Sequence, residues 1–290
     1  GLCELVSVNE GEEKEKSQEL ILLRKGTRED KNIIFIHAGS GEINIYLNLS
    51  RSISEEYNIY GIRYEPEVKH LALYNYDFRK IAHHYCDLAK DIKVVDYLGG
   101  WCIGGTIAYE MALHEPDKYK EIFMFNSMAP VSNKVVQMGD SFEDEVNFMK
   151  NFLSEELIQS CHNDTEKLWE NIAELIDKNA EYRKAIINLI PPVLMRLLPK
   201  VENLSGKQLV YFINMFRSSE NARHLYQSHD HADVNCYYFH AVDEVVDKYE
   251  DWKQYVSYFE DFAALGNHVT MFQDENLESL SKQFNSILSK

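Results

Sequence analysis

The fold of this chain is decided by one glycine-rich stretch, Leu98-Gly99-Gly100-Trp101-Cys102-Ile103-Gly104-Gly105. The apolar run at residues 94–98 predicts a short buried strand, and residues 106–113 have the composition of a helix. The order Gly100-x-Cys102-x-Gly104 is the pattern of a nucleophile elbow, with cysteine where serine is usual. Glycines provide space in such a sharp turn, and the helix start offers unpaired N–H groups. The stretch therefore predicts a reactive thiol whose pKa is lowered by the helix N-terminus.

The segments around this stretch alternate between strands and helices. The patterns predict strands at residues 20–23, 32–37, 57–62 and 121–125, and helices at 43–53 and 76–92. The strands are apolar along their whole length. Such strands are typical of a mostly parallel central sheet that is covered by helices on both faces, which is the α/β class.

The alternation stops in the second half of the chain. Helical patterns dominate there, at residues 143–153, 167–177 and 208–216, with a break at Pro191-Pro192. Strand patterns return at 234–240 and 259–265, before a last helix at 275–288. A helical block inserted between two strands of one sheet predicts a lid over an active site. The predicted organisation is an arm with the first strand (1–31), a first core part (32–132), a helical lid insertion (133–232) and a second core part (233–290).

Composition excludes several classes of protein. The formal net charge is −17, which argues against nucleic acid or an anionic membrane as a partner. The five cysteines are odd in number and never occur as C-x-x-C, so they indicate free thiols, no metal site and a cytoplasmic location. The first residues are charged rather than those of a signal peptide, and the initial glycine suggests a domain excised from a longer chain.

The partners of Cys102 can be sought by chain order. His268 lies after a late strand and before the last helix, where this kind of site has its base, and His240 is a weaker candidate. The orienting residue is expected after the strand at 121–125, where Asn126 stands in place of an acid. An amide oxygen can orient the histidine ring, as in Cys-His-Asn proteases, but Asp243 after the next strand is the alternative.

The oxyanion hole of such a site needs two backbone donors. One is expected to be the N–H of Ile103, the residue after the nucleophile, and the other the N–H of Gly39 in the glycine-rich loop at residues 37–41.

These segments together resemble the thioesterase domains that end nonribosomal peptide synthetases and polyketide synthases, which have the α/β-hydrolase fold. The match covers most of residues 20–130 and 234–290. The family's Gly-Trp-Ser-x-Gly-Gly-x-x-Ala-Tyr-Glu-x-Ala corresponds to residues 100–112, and its closing Gly-x-His-x-x-Met to 266–271. Its His-Pro-x-Gly-Gly loop and following tyrosine correspond to residues 37–41 and Tyr46. The lid resembles nothing recognisable.

This sequence departs from the family at Ala38 for proline, Cys102 for serine and Asn126 for aspartate. The cysteine is either natural, as in some members, or an introduced replacement of serine. Because Cys102 and Asn126 depart together, the two form a correlated pair.

The resemblance implies release chemistry. An acyl or peptidyl chain would arrive as a thioester on the phosphopantetheine arm of an upstream carrier domain, with no cofactor or metal bound by this domain. His268 would deprotonate Cys102, the chain would move to the sulfur, and water or an internal nucleophile would release it as an acid or a ring. Two alternatives remain at this point: a stand-alone editing thioesterase that clears stalled carrier domains, and a non-catalytic binding module with the same fold.

Overall fold

A computed structural model of the chain describes residues 19–66, 69–130, 139, 141–190, 195, 201–244, 246 and 248–289. Its seven strands span Leu20–Arg24 (β1), Asn32–Ile36 (β2), Asn58–Ile62 (β3), Tyr97–Trp101 (β4), Glu121–Phe125 (β5), Ala232–Ala241 (β6) and Val256–Ala264 (β7). They form one sheet in the order β1-β3-β2-β4-β5-β6-β7. Every neighbouring pair is parallel except β1 with β3. This is the mostly parallel α/β architecture that the sequence predicts.

Four helices cover the two faces of the sheet. They span Tyr46–Ser52 (α1), Phe78–Leu88 (α2), Ile103–His114 (α3) and, at the end of the chain, Asp274–Leu288 (α9). The inner strand β2 is buried at every residue. Ile34 and Ile36 pack in the cluster that contains α2 and α3, and Ile33 and Phe35 pack in the cluster that contains α1 and α9. Burial on both faces explains why β2 is a continuous apolar run.

The strand before the elbow begins later than predicted. The sequence pattern placed it at residues 94–98, but β4 spans Tyr97–Trp101 and includes two glycines. Val94 is exposed, and a Cβ at Gly99 would lie 2.9 Å from the Phe35 ring. Glycine is unfavourable in strands, so local propensity favoured the valines, while close packing against Phe35 decided the real strand.

The segment between β5 and β6, called the lid below, contains five further helices among the described residues and no strand. They span Phe142–Met149 (α4), Glu155–Ser160 (α5), Thr165–Lys178 (α6), Ala180–Ile187 (α7) and Gly206–Leu225 (α8). The lid has its own apolar cluster, around Trp169, Ile172 and Leu209. The predicted break at Pro191-Pro192, and residues 1–18 of the predicted arm, lie outside the described residues.

Helix α8 extends nine residues beyond the predicted end at residue 216. A capping box fixes its start, because the Ser205 side chain accepts from the Gln208 backbone while the Gln208 side chain accepts from Ser205. The added C-terminal half of α8 is polar, so its sequence carries no apolar period that would have predicted it.

Candidate active site

Cys102 stands at the turn between β4 and α3, in a strained backbone conformation with φ 58° and ψ −124°. A Cβ at Gly100 would collide with the backbone carbonyl of Gly104, and a Cβ at Gly104 would lie 2.6 Å from the His37 carbonyl oxygen. The two glycines of the predicted elbow are therefore required by backbone contacts. Strain of this kind is found where a fold must present a functional side chain.

Tyr46 joins the ends of the two strands that meet at the elbow. Its hydroxyl donates to the Ile36 carbonyl at 2.8 Å and accepts from the Trp101 N–H at 2.8 Å. Since Ile36 ends β2 and Trp101 ends β4, this buried side chain fixes the separation of the strand ends just before Cys102.

Two backbone N–H groups converge on the Cys102 sulfur. They belong to Ile103, the first residue of α3, and to Gly39, in the loop after β2, and both favour the thiolate form. These are the two donors that the sequence predicted for an oxyanion hole. An oxygen bound to a carbon on this sulfur would lie within reach of the same two groups.

The neighbouring peptide aims the Gly39 N–H. The Ala38 carbonyl accepts from the Gly41 N–H at 2.9 Å and from His37 Nδ1 at 2.7 Å. In a trans peptide, the C=O of one residue and the N–H of the next point in opposite directions. These two bonds to Ala38 therefore turn the Gly39 N–H towards Cys102. Burial lowers the pKa of His37 to about 4, so this ring is neutral.

His268 lies in the loop that follows β7. Neighbouring Asn267 stabilises this loop, because its Oδ1 accepts from the N–H groups of Val269 at 3.1 Å and Thr270 at 2.9 Å. The His268 ring packs on Trp101, with 4.9 Å between ring centroids. The structure thus brings His268 to the elbow from the opposite end of the chain.

Asn126 follows β5 and contacts the His268 ring through its amide nitrogen. Nδ2 lies 2.9 Å from His268 Nδ1 and donates to the Glu244 carbonyl at 3.2 Å, while Oδ1 accepts from the Ala241 N–H at 3.2 Å. The expectation that the amide oxygen would orient the ring was wrong. The oxygen is already committed to the backbone of β6.

This arrangement fixes the proton of the neutral His268 ring. Because Asn126 donates to Nδ1, that nitrogen is an acceptor and the ring proton resides on Nε2. Turning the amide over would place Oδ1 against the Glu244 carbonyl and Nδ2 against the Ala241 N–H, with both bonds lost. The two backbone partners therefore determine the tautomer.

Asp243, the alternative orienting residue, does not contact the His268 ring. Its N–H donates to the Gly266 carbonyl at 3.0 Å, and its exposed carboxylate has no hydrogen bond or ion pair with any described residue. The next residue, Glu244, is the nearer acid: its Oε2 accepts from the His268 N–H at 3.3 Å. The sequence reasoning missed Glu244, whose only signal was its place in the charged loop after β6.

Burial keeps both reactive side chains neutral. It raises the pKa of the Cys102 thiol to about 12, an effect larger than the opposing one of the two backbone donors. It also lowers the pKa of His268 to about 4, with a smaller contribution from Arg223. The prediction of a lowered thiol pKa was wrong, because loss of hydration outweighs the helix N-terminus. Within the described residues, no hydrogen bond joins the thiol to the ring.

Cys102 and His268 line the same cavity, which has a volume of about 240 Å³. Asn126, Gly39 and Trp101 also line it, so most of the predicted site residues meet there. The lid closes one wall with side chains from α8. This cavity is large enough for the reacting end of a substrate but not for a long chain.

Other predicted features have ordinary surroundings. The weaker base candidate, His240, does not line the cavity; it lies 3.5 Å from the Asp261 carboxylate and stacks on Tyr249. In the part of the chain that the structure describes, no group of three or more His, Cys, Asp or Glu side chains is arranged to hold a metal ion. Nor does that part contain a helix of the length and apolarity needed to cross a membrane.

The family model for the thioesterase domain matches residues 31–288, which is most of the chain. The chain belongs to the thioesterase domain family. It is therefore a thioesterase, a hydrolase of thioesters, with the α/β fold of that family. No curated protein matches it.

Solved structures of similar fold include domains of biosynthetic enzymes. The four-domain nonribosomal peptide synthetase holo-AB3403, bound to AMP and glycine, matches 93% of this chain with TM-score 0.64 and 20% identity, and the match covers 20% of that synthetase. The Vlm2 thioesterase domain, bound with a dodecadepsipeptide, matches 92% of this chain and 97% of its own, with TM-score 0.59 and 16% identity. The RedJ thioesterase of prodiginine biosynthesis in Streptomyces coelicolor matches 89% of this chain and 85% of its own, with TM-score 0.57 and 14% identity. At these identities the likeness establishes the fold.

Several cavity residues of the thioesterase were missed by sequence reasoning, and three of them belong to one helix. These three lie on α8: Phe216, Glu220 and Arg223. Arg223 Nη2 lies 2.6 Å from Glu220 Oε2 and its Nε 3.1 Å from Oε1, so the pair is bidentate. The opposite charges at i and i+3 are the available signal, but they lie beyond the predicted end of this helix.

Proposed function

We propose that this thioesterase releases an acyl or peptidyl chain from the phosphopantetheine thioester of a carrier domain, through an acyl-Cys102 intermediate. One observation carries the proposal: the N–H groups of Ile103 and Gly39 converge on a cysteine sulfur held at a strained elbow. The similar folds of a nonribosomal peptide synthetase and of Vlm2 support it. The match covers only 20% of that four-domain synthetase, so it says nothing about a carrier domain beside this chain. That a carrier domain delivers the substrate is therefore part of the proposal.

In the first step, the Cys102 sulfur attacks the thioester carbonyl carbon, and the carbon–sulfur bond to pantetheine then breaks. The two backbone donors hold the negative oxygen of the tetrahedral intermediate. The thiol proton passes to His268 Nε2 and then to the departing pantetheine sulfur. The products are acyl-Cys102 and the free thiol of the carrier arm.

Asn126 controls when His268 acts as a base. A ring with its proton on Nε2 cannot accept the thiol proton there, so the ring must first hold its proton on Nδ1 and give up the contact with Asn126 Nδ2. We expect this to cost about 1–3 kcal/mol, the usual penalty for a buried polar group left unpaired. A thiol is more acidic and more nucleophilic than a serine hydroxyl, so it tolerates a weaker base better.

In the second step, water or an internal amine or hydroxyl attacks the carbonyl carbon of acyl-Cys102. The new carbon–oxygen or carbon–nitrogen bond forms, the carbon–sulfur bond breaks, and the sulfur regains a proton. A neutral amine brings its own lone pair and needs less help from a base than water does. Asn126 holds His268 with its proton on Nε2, so the ring is a poor base for activating water. We therefore expect release by an amine or by ring closure to compete well with hydrolysis.

The steps use no resident cofactor, since phosphopantetheine belongs to the substrate. They require Cys102 to be a free thiol, which fits a reducing compartment such as the cytoplasm. The other described cysteines, Cys86, Cys161 and Cys236, are also unpaired and buried. We therefore keep the cytoplasm as the proposed location.

Intact-mass measurement tests the proposal. The chain is incubated with acetyl-, hexanoyl- and phenylacetyl-pantetheine, and peptide mapping then locates any acyl adduct. We expect an adduct on Cys102 that disappears in Cys102→Ala. The control variant Cys161→Ser should keep the adduct. Its hydroxyl can replace the Cys161 thiol, which donates to the Leu157 carbonyl at 3.1 Å. A chain that forms no adduct with any of the three would instead be a binding module. Fast hydrolysis restricted to the acetyl thioester would indicate an editing enzyme.

A further inference from the structure

A second cavity, of about 170 Å³, lies inside the lid. Helices α4, α6, α7 and α8 and the turn after α7 contribute side chains to it. Nearly all of these are apolar, among them Phe148, Trp169, Leu189, Ile213 and Phe216. A cavity of about 150 Å³ with such a lining stays dry and binds benzene. The lid cavity therefore has the size and chemistry to hold one compact apolar group.

The single charged residue among the lining residues, Arg217, is neutralised. Its guanidinium donates to both oxygens of buried Glu145, at 2.9 Å each, and lies over the Phe148 ring at 3.8 Å from the centroid. Glu145 also accepts from Trp169 Nε1 at 2.7 Å. With its donors turned to Glu145, Arg217 presents a flat, paired surface to the cavity. This wall does not favour an anionic ligand.

Phe216 connects the lid cavity to the active-site cavity, because it lines both. A Cβ at Gly39 would lie 3.5 Å from the Phe216 ring, so the ring also packs against the proposed oxyanion loop. One turn further along α8, Glu220 and Arg223 line the active-site cavity. The Phe216 side chain thus borders both the space around Cys102 and the apolar space in the lid.

We propose that the lid cavity binds the apolar far end of the chain carried on Cys102, an aryl group or a medium-length alkyl group, with Phe216 as the side chain that sets the fit. This inference rests on the proposed acyl-Cys102 chemistry. The argument for this occupant is that Phe216 borders both cavities, together with an apolar lining of matching volume whose one charged residue is paired with Glu145. Each methylene that leaves water for such a site is expected to raise kcat/KM about fourfold.

The test compares acetyl, hexanoyl and phenylacetyl thioesters of N-acetylcysteamine on the wild-type chain and on Leu189→Trp. Leu189 is 42% exposed at the mouth of the lid cavity, so a larger side chain there can fill the cavity without burying new polar groups. The matched control is Leu22→Trp, at an exposed position of β1. We expect wild type to prefer hexanoyl and phenylacetyl over acetyl by at least tenfold in kcat/KM. Leu189→Trp should lose this preference, whereas Leu22→Trp should keep it.

A second variant and a binding measurement separate the possible failures. Phe216→Ala removes the side chain that borders both cavities and should shift the preference towards decanoyl. Calorimetry of hexanoyl-pantetheine on Cys102→Ala reports binding without turnover, and adding Leu189→Trp should weaken it about tenfold. Acetyl turnover without any chain preference, or unchanged hexanoyl binding in the double variant, overturns the lid proposal alone. Absence of every acyl adduct overturns the proposed function, whatever the calorimetry shows.

Discussion

The two ends of the active site are held by different kinds of interaction. At the Cys102 end, the interactions come from the backbone. The Ile103 and Gly39 N–H groups converge on the sulfur, and close backbone contacts require the elbow glycines. At the His268 end, a side-chain amide determines which ring nitrogen carries the proton. Backbone geometry survives most substitutions, whereas one side chain can be exchanged. The departures from the family pattern can therefore change the proposed base without disturbing the proposed oxyanion hole.

The largest expected effect comes from removing the nucleophile. Cys102→Ala should lower thioester turnover by at least about 10³-fold, since removing a nucleophile from a cooperating group removes most of the group's contribution. Turnover of acyl-pantetheine, followed by released thiol, measures this. Cys161→Ser is the control and should keep wild-type turnover. A Cys102→Ala chain that retained a tenth of the activity would contradict the nucleophile assignment.

His37→Phe should weaken the backbone end without touching the substrate. The variant keeps a ring of similar shape but loses the Nδ1 donor to the Ala38 carbonyl, so the Gly39 N–H is aimed less firmly. We expect kcat to fall by about 10- to 100-fold, less than the loss of a whole oxyanion donor. KM should change little. The control is His83→Phe, at an exposed position of α2, and equal losses in the two variants would argue against a role for His37.

Asn126→Asp should change the base end and raise hydrolysis about tenfold at neutral pH. A carboxylate accepts from His268 Nδ1–H, which leaves Nε2 free to take the thiol proton. In the wild type, where the pKa of His268 is about 4 and that of Cys102 about 12, turnover should keep rising as pH increases through neutrality. In the variant the carboxylate raises the pKa of His268. The acid limb of the pH profile, where turnover rises because His268 loses its proton, should therefore shift to higher pH, towards neutrality.

The matched control for this pH profile is Asp243→Asn, because the Asp243 carboxylate has no partner among the described residues. It should leave the profile unchanged. An Asn126→Asp enzyme with an unmoved acid limb and no gain in hydrolysis would show that Asn126 does not set the tautomer.

Cys102→Ser should give the smallest of these effects, a several-fold shift in the ratio of amide to acid product. A thioester is more activated towards amines than an oxyester, so the amide fraction formed with added butylamine should fall relative to hydrolysis. Liquid chromatography of the two products measures the ratio. Equal partition in the cysteine and serine enzymes would sink the idea that cysteine favours release by amines.

The sequence was sufficient for the features that depend on backbone pattern. The elbow glycines, the fold class and the position of two N–H groups beside the Cys102 sulfur could be predicted, because each follows from a strand, a turn and a helix in a fixed order. The Asn126 amide could not be oriented from sequence, since its direction depends on the Ala241 and Glu244 backbone groups far along the chain. The direction of the Cys102 pKa shift could not be predicted from the sequence either, because burial is a property of the packed molecule.

The lid was predictable as helical but not as a binding surface. Glu220 and Arg223 belong to a polar half-helix that has no apolar period. Their role as cavity lining depends on how α8 lies against the loop after β2, where Ser219 Oγ is 3.4 Å from the Gly39 carbonyl. Such long-range contacts between an insertion and a core leave no local signature in either segment.

The contact between Gly104 and the His37 carbonyl has a mechanical consequence. With no side chain between them, the start of α3 and the loop after β2 lie in direct backbone contact, which holds the Cys102 sulfur and the Gly39 N–H close together. The lid also contacts this loop, through Phe216 and Ser219, so a lid movement that admits a bulky substrate acts on the Gly39 N–H as well. An enzyme built this way couples its tolerance for different chains to the sub-ångström alignment that bond making requires.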